Sequence, residues 1–305
     1  MRCIGLDWGT SRFRAYLLDG TGSILERQVS DAGVASIPPG EFERTLLREI
    51  GAWLELFPTA NVIASGMVGS RQGWLQTRYV PCPVDLSKLG SELELRSIGQ
   101  RQVAFTPGLT RQGQDGLPDV MRGEEVQVLG SLPQLGADGW CVLPGTHSKW
   151  VRVEGGAIVW FASFLSGELF DVLLRHSVLT RGEEGCPDSS GARFLRGLEV
   201  ASSTAAESGG LLKRLFSTRS LVARGEMSKP EAREYLSGLI IGSELREALA
   251  SLPGACPRRV LVIGSSELVA RYRTAFERLG IEAEEGPTDA AAHGHFSIAA
   301  QAGLL

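Results

Sequence analysis

Two short stretches hold the residues best suited to chemistry, "DWGTSRF" and "PGTHSKW". In the first, Asp7 stands at the exit of the apolar run "CIGL", and Gly9, Thr10 and Ser11 follow it. A glycine lets backbone N–H groups approach an anion, the two hydroxyls donate to it, and the carboxylate faces a cation. Such a set suits a phosphate and metal site. The same residues also fit a plain hairpin whose Asp7 caps its own turn. In the second stretch Gly145, Thr146, His147, Ser148 and Lys149 repeat the pattern of strand, Gly-Thr turn and strand. "GTHSKW" lacks the spacing of a P-loop, and "VLVIGSSELVA" lacks Gly-x-Gly-x-x-Gly, so neither mononucleotide nor dinucleotide fingerprint is present. Two halves that each present a Gly-Thr hairpin suit a phosphate chain held between two domains.

The elements that must position these turns follow from periodicity. Arg2 to Trp8, Phe13 to Leu18 and Ser23 to Val29 read as three consecutive strands. Glu41 to Phe57 reads as a helix, with Phe42, Leu46, Leu47, Ile50 and Leu54 at helical spacing and Pro58 stopping it. "NVIAS" reads as a buried strand, and Thr106 to Asp119 is Gly-, Pro- and polar-rich, which suits a loop or interdomain connection. Strands "WCVL", "KWVRV" and "AIVWFASF" follow, with helices over about Gly167 to His176, Gly191 to Ser203 and Lys229 to Leu252. "RRVLVIGSSELVARYRTAFERLG" reads as strand, tight turn and helix, and the Ala-rich end as a last helix.

Whole-chain properties exclude several classes. A chain of 305 residues is long for one core, so two domains are expected, 1–122 and 123–305, with the last helix returning to the first. The formal net charge of −4 gives no electrostatic reason to expect nucleic acid or an anionic membrane. No apolar stretch approaches the roughly 18–20 residues of a spanning helix. The absence of a signal-peptide apolar region points to the cytoplasm. Cys3, Cys82, Cys141, Cys186 and Cys256 are scattered and odd in number, which suits reduced core thiols better than a disulfide framework or a zinc site. A homo-oligomer is compatible with all of this.

The order and spacing of "LDWGTSRFRAYLLD", "LPGTHSKW" and "VLVIGSS" resemble the two phosphate motifs and the adenosine motif of the actin-like ATPase and sugar-kinase superfamily. More narrowly, "SGMVGSRQGW", "MRGEEVQVLG", "SFLSGELFDVLLRHSVL" and "YLSGLIIGSEL" resemble the 2-dehydro-3-deoxygalactonokinase family, nearly end to end. The resemblance implies an α/β fold of two ribonuclease-H-like domains with mixed sheets flanking an ATP cleft. It implies ATP-dependent phosphorylation of 2-dehydro-3-deoxy-D-galactonate at the 6-hydroxyl in galactonate breakdown, with Mg²⁺. A phosphohydrolase of the same superfamily, or an actin-like nucleotide binder without transfer chemistry, are the alternatives.

Under that resemblance Asp7 orients Mg²⁺, directly or through water. Gly9, Thr10, Ser11, Gly145, Thr146, His147, Ser148 and Lys149 hold the phosphates, and Gly264, Ser265 and Ser266 form the adenosine turn. A sugar acid also needs a planar, bidentate donor for its carboxylate, which arginine supplies. Arg12, Arg71 and Arg122 are candidates, with Ser70 and Trp74 on a sugar-side loop and Glu168 from "SGELF". The proton of the acceptor hydroxyl needs a carboxylate base, and Asp119, Glu124 and Glu125 stand near the expected place. Glu124 is preferred, because it starts a helix after Gly123 and Glu125 lies about 100° further round.

Overall fold

The computed structural model describes residues 2–99, 101–181, 190–204 and 209–305. The chain begins with β1 (Cys3–Trp8), β2 (Phe13–Leu18), β3 (Ile24–Ser30), α1 (Phe42–Leu56) and β4 (Asn61–Ser65). It continues through β5 (Tyr79–Pro81), α2 (Leu86–Ser91), β6 (Glu94–Ile98), β7 (Arg101–Phe105), β8 (Gly108–Gln112) and β9 (Pro118–Met121). Then come α3 (Glu124–Gly130), α4 (Leu132–Leu135), β10 (Gly139–Leu143), β11 (Ser148–Glu154) and β12 (Ala157–Phe164). Helices α5 (Ser166–His176), α6 (Ala192–Ser202), α7 (Leu211–Ala223) and α8 (Lys229–Ser251) precede β13 (Arg259–Val262), α9 (Ser266–Glu277), β14 (Glu282–Glu285) and α10 (Ala290–Gln301).

The strands form sheets of order β3-β2-β1-β4-β7-β6, β12-β11-β10-β13-β14 and β5-β8-β9. In the first, β1 pairs antiparallel with β2 and parallel with β4, and β4 pairs parallel with β7. The first five strands of that sheet and the five of the second follow one rule: a three-strand meander, then two strands added beside its first member. The stretch from Thr106 to Asp119, expected as a loop, instead builds β8 and β9. Its glycines and Pro118 punctuate a hairpin rather than a linker, because Leu109 packs fully buried while the turn residues stay outside.

The chain divides into two compact units. Unit 1 is Met1–Cys141, Val151–Phe161 and Gly286–Leu305, and unit 2 is Val142–Trp150 and Ala162–Glu285. The first break therefore falls after Cys141 rather than after Arg122, and α3 belongs to unit 1. The reason is a close crossing of α3 and α10. A Cβ on Gly130 would lie 2.0 Å from the Ala290 carbonyl oxygen, and one on Gly294 would lie 2.0 Å from that of Val126. Unit 1 packs Ile4, Leu6, Trp8 and Phe13 of the sheet against Leu46 and Ile50 of α1. On its other face, His295 of α10 is fully buried against Gly5 and hydrogen-bonds Ser65 Oγ at 2.8 Å.

Unit 2 is organised by α8, which opens with a capping box between Ser228 and Glu231 and buries Leu236, Leu239 and Ile240. The cysteines are less uniformly internal than expected. Cys3 and Cys141 are buried, Cys82 is half-buried and Cys256 is exposed, all as free thiols, while Cys186 lies outside the described residues. Among the described residues no helix is long and apolar enough to cross a membrane.

Candidate active site

In unit 1, β1 carries Asp7 to its C-terminal end, opposite Arg14 of β2 and beside Ser65 of β4. The Asp7 carboxylate is buried, and its Oδ2 accepts from Arg14 Nη1 at 3.0 Å. Burial raises its pKa above the ordinary value, and the Arg14 charge opposes that rise. Asp7 thus spends its described hydrogen bond on the neighbouring strand, not on capping its turn. The turn is held by backbone instead: Gly9 N–H donates to the Arg12 carbonyl at 2.9 Å, and the Gly9 and Thr10 carbonyls accept from Val34 and Ala35 at 3.0 Å. Thr10 and Ser11 are left exposed at the tip.

The base candidates separate sharply. Glu124 is the first residue of α3, half-buried, and its Oε2 accepts from Arg122 N–H at 2.9 Å. Glu125 points elsewhere than Glu124, back into the protein. It is fully buried, and both its oxygens accept from the Gly123 N–H at 2.8 Å. Burial, with the Glu124 charge beside it, pushes its carboxyl up to about 8. Gly123 has φ +107°, and a Cβ there would stand 3.0 Å from Gly66 Cα, so the bend before α3 needs glycine. Asp119 sits half-buried on β9, its Oδ1 accepting from Val120 N–H at 2.7 Å.

The sugar-side candidates are partly engaged elsewhere. Arg12 forms an exposed ion pair with Asp31 at 2.6 Å. Arg122 donates to the Thr77 hydroxyl and, at 3.0 Å, to the Thr77 carbonyl, and lies 4.4 Å over the Tyr79 ring. Arg71 is exposed, and Ser70 is buried with its Oγ accepting from Gln72 N–H at 3.2 Å. Trp74 is no free wall: Phe42 stacks with it at 6.4 Å, and Arg96 lies 5.4 Å over its ring.

In unit 2, the turn after β10 exposes Thr146 and His147. A Cβ on Gly145 would meet nothing within 4 Å, so the backbone there faces open space. His147 Nε2 pairs with Glu168 Oε2 at 2.6 Å, and Glu168 N–H donates to the Thr146 carbonyl at 2.9 Å. Glu168 therefore braces the second turn, where the sequence reading assigned it to the sugar. Ser148 and Lys149 also need correction. Strand alternation turns Ser148 fully inward, donating to Glu244 Oε1 at 2.8 Å, and Lys149 is buried with Nζ donating to the His147 carbonyl at 3.2 Å. Ser265 and Ser266 are exposed beyond β13, and Ser265 makes no side-chain cap to α9.

Beside the second turn lies a pocket walled by Gly145, Gly167, Phe170, Ile240, Leu268 and Tyr272 among others, with Arg233 and Arg271 also in its lining. An apolar lining with a few polar groups suits a flat base and a polar chain. Glu244 is the functional-side residue that sequence reading missed, although its motif "SGLIIGSEL" was in view. Its only available signal was an acid in an otherwise apolar helical stretch.

Comparison with known proteins identifies the family. The family model described as 2-keto-3-deoxy-galactonokinase matches residues 7–298. The 2-dehydro-3-deoxygalactonokinase of Escherichia coli strain K12 is 34% identical over 282 residues, covering 92% of this chain and 91% of that protein. A crystal structure of a Sinorhizobium meliloti protein bearing the same kinase name superposes with a TM-score of 0.85 at 32% identity, covering 98% of each chain. Component A of Acidaminococcus fermentans (R)-2-hydroxyglutaryl-CoA dehydratase matches with a TM-score of 0.51 at 14% identity, over 98% of this chain and 96% of that one. That last likeness is one of fold alone, an α/β fold with mixed sheets. With a family model spanning nearly the whole sequence and a relative one-third identical along it, this chain belongs to the 2-keto-3-deoxy-galactonokinase family.

Proposed function

We propose that the chain is an ATP-dependent sugar-acid kinase that transfers the γ-phosphoryl group of ATP to the 6-hydroxyl of 2-dehydro-3-deoxy-D-galactonate, in the cytoplasm. The observation that carries this reading is the end-to-end likeness to the E. coli enzyme of that name. The disposition of side chains supports it. Phosphoryl transfer needs positioning and charge neutralisation more than covalent chemistry from protein. The turn around Gly145 and Thr146 and the adjoining pocket take the nucleotide, with Gly264, Ser265 and Ser266 on the adenosine side. The turn of Gly9, Thr10 and Ser11 takes terminal phosphate oxygens.

Among the described residues no group of three or more His, Cys, Asp or Glu could hold a metal. That fits Mg²⁺ delivered with ATP, which keeps its waters and needs one or two carboxylates. Asp7 qualifies, since no described contact takes its Oδ1. When bound, the ion neutralises charge on the phosphates. Glu124 accepts the proton of the 6-hydroxyl as the new O–P bond forms and the bond to ADP breaks. Glu125 holds the Gly123 N–H and so fixes the start of α3. Arg12 and Arg122 are engaged by Asp31 and by Thr77 and Tyr79, so we assign the substrate carboxylate to Arg71.

The test is a coupled ATP-consumption assay over 2-keto-3-deoxy sugar acids, including the galactonate and gluconate epimers, with the product identified by mass and phosphorus NMR. Phosphorylated galactonate-derived product is the expected result. Phosphate release without a phosphorylated sugar would mark a phosphohydrolase, and ATP binding without turnover an actin-like binder.

A further inference from the structure

Glu244 lies in the middle of α8, 3% exposed, with no cation paired to it among its described contacts. Its Oε1 accepts from Ser148 Oγ at 2.8 Å and from Trp150 Nε1 at 2.9 Å, and its Oε2 accepts from Tyr272 Oη at 2.6 Å. The Ser166 hydroxyl bonds it as well. A buried carboxylate is costly unless its lone pairs are filled, and four neutral donors fill them here. The donors come from three elements besides α8: Ser148 and Trp150 open β11 directly after the second Gly-Thr turn, Ser166 opens α5, and Tyr272 stands on α9. Gly145, Ser166, Gly167 and Tyr272 are also walls of the pocket beside that turn.

A core needing only to be filled would place an apolar side chain at this position. A single acceptor on α8 that gathers donors from α5, α9 and the strand leaving the turn has a different effect: it fixes where those elements stand relative to each other. We propose that Glu244 is a positioning residue for phosphoryl transfer, acting through Ser148, Ser166 and Tyr272 to hold the second Gly-Thr turn in register with the nucleotide pocket. The proposal rests on the kinase reading above. Its effect falls on ATP and leaves the sugar acid alone, because no residue it touches belongs to the sugar-side set.

The experiment compares wild type with Glu244→Gln and Tyr272→Phe, the latter keeping the packed ring while removing one donor. Calorimetric titration with MgATP gives the affinity without turnover, and steady-state kinetics give KM for ATP and for the sugar acid separately. Melting temperature is followed in parallel. Both variants are expected to weaken ATP binding and raise its KM, about tenfold or more for Glu244→Gln and several-fold for Tyr272→Phe. KM for the sugar acid should stay within twofold. A lowered melting temperature with unchanged ATP affinity in both would overturn the proposal and leave Glu244 a fold residue. Should Glu244→Gln not fold, Tyr272→Phe alone decides. Wild type that binds MgATP but phosphorylates no sugar acid would sink the substrate reading while the affinities still judge Glu244. Wild type that binds no ATP would overturn both.

Discussion

Superposing the two Gly-Thr turns residue by residue shows one backbone device furnished in two ways. Gly9 and Thr10 correspond to Gly145 and Thr146, which sets Asp7 against Leu143 and Arg14 against Trp150. Both turns are wedged from behind by a glycine of a later segment. A Cβ on Gly33 would lie 2.3 Å from the Ser11 carbonyl carbon, and one on Gly167 would lie 2.1 Å from the Gly145 carbonyl oxygen. In the first turn the acid is on the strand itself, facing Arg14 from across the hairpin. In the second that position is apolar, and the acid arrives from α8 as Glu244, bonded to Trp150 and Ser148. The first turn thus carries its acid on the strand that leads into it, and the second takes one from a helix.

If reactive charge is concentrated in unit 1, the largest losses of turnover come from there. Glu124→Gln is expected to bind ATP and sugar acid and to lose kcat by at least two orders of magnitude, within the roughly 10²–10⁴-fold of general base catalysis. Should Asp119→Asn show that loss and Glu124→Gln not, the base lies on β9. Asp7→Asn should fold, since it keeps size and shape, and lose about 10²–10³-fold in kcat. Near-normal kcat at saturating Mg²⁺ would return Asp7 to a strand-pairing role with Arg14.

A smaller effect separates the glycine of the second turn from the α5 glycine that wedges it. Gly167→Ala drives a methyl into backbone and should cost about 1–3 kcal/mol of stability. Gly145→Ala meets open space and should leave the melting temperature unchanged while weakening ATP binding. Equal thermal effects from both would contradict the wedge.

The smallest effect is a pH dependence at the start of α3. Glu125 has its carboxyl pushed up to about 8 from an ordinary 4.5. The folded state therefore binds more protons than the unfolded between those values, and stability falls as pH rises. The contribution is complete below about 4.5 and is lost as pH passes through about 8. Glu125→Gln keeps an acceptor for Gly123 and cannot ionise, so its melting temperature should fall less than that of wild type between pH 6 and 8.5. Parallel curves would mean that Glu125 does not titrate there.

Local signals carried most of the elements and both turns. The helix expected over Glu41 to Phe57 is Phe42–Leu56, and the one over Lys229 to Leu252 is Lys229–Ser251, because apolar spacing and stop residues act within a few turns of chain. Features set by distant partners were not legible. Ser148 reads as a phosphate donor until Glu244, far along the chain, is seen to accept its hydrogen bond. Trp74 reads as a sugar wall until Phe42 and Arg96 close on it. The break after Cys141 depends on α3 meeting α10, a contact between the middle and the end of the sequence. That Glu125 folds back onto the N–H of Gly123 was likewise not given by the helical angle alone.

That meeting of α3 and α10 governs the order in which the protein can be made. In unit 1, Gly5, Ser65 and Gly130 await His295 and Gly294 from far later in the sequence. Unit 2 is inserted wholly before that point and can complete its own core, with every strand and helix it needs, while synthesis continues. The unit begun earlier along the sequence is therefore the one closed later, and a chain halted ahead of α10 carries β1 with one face uncovered.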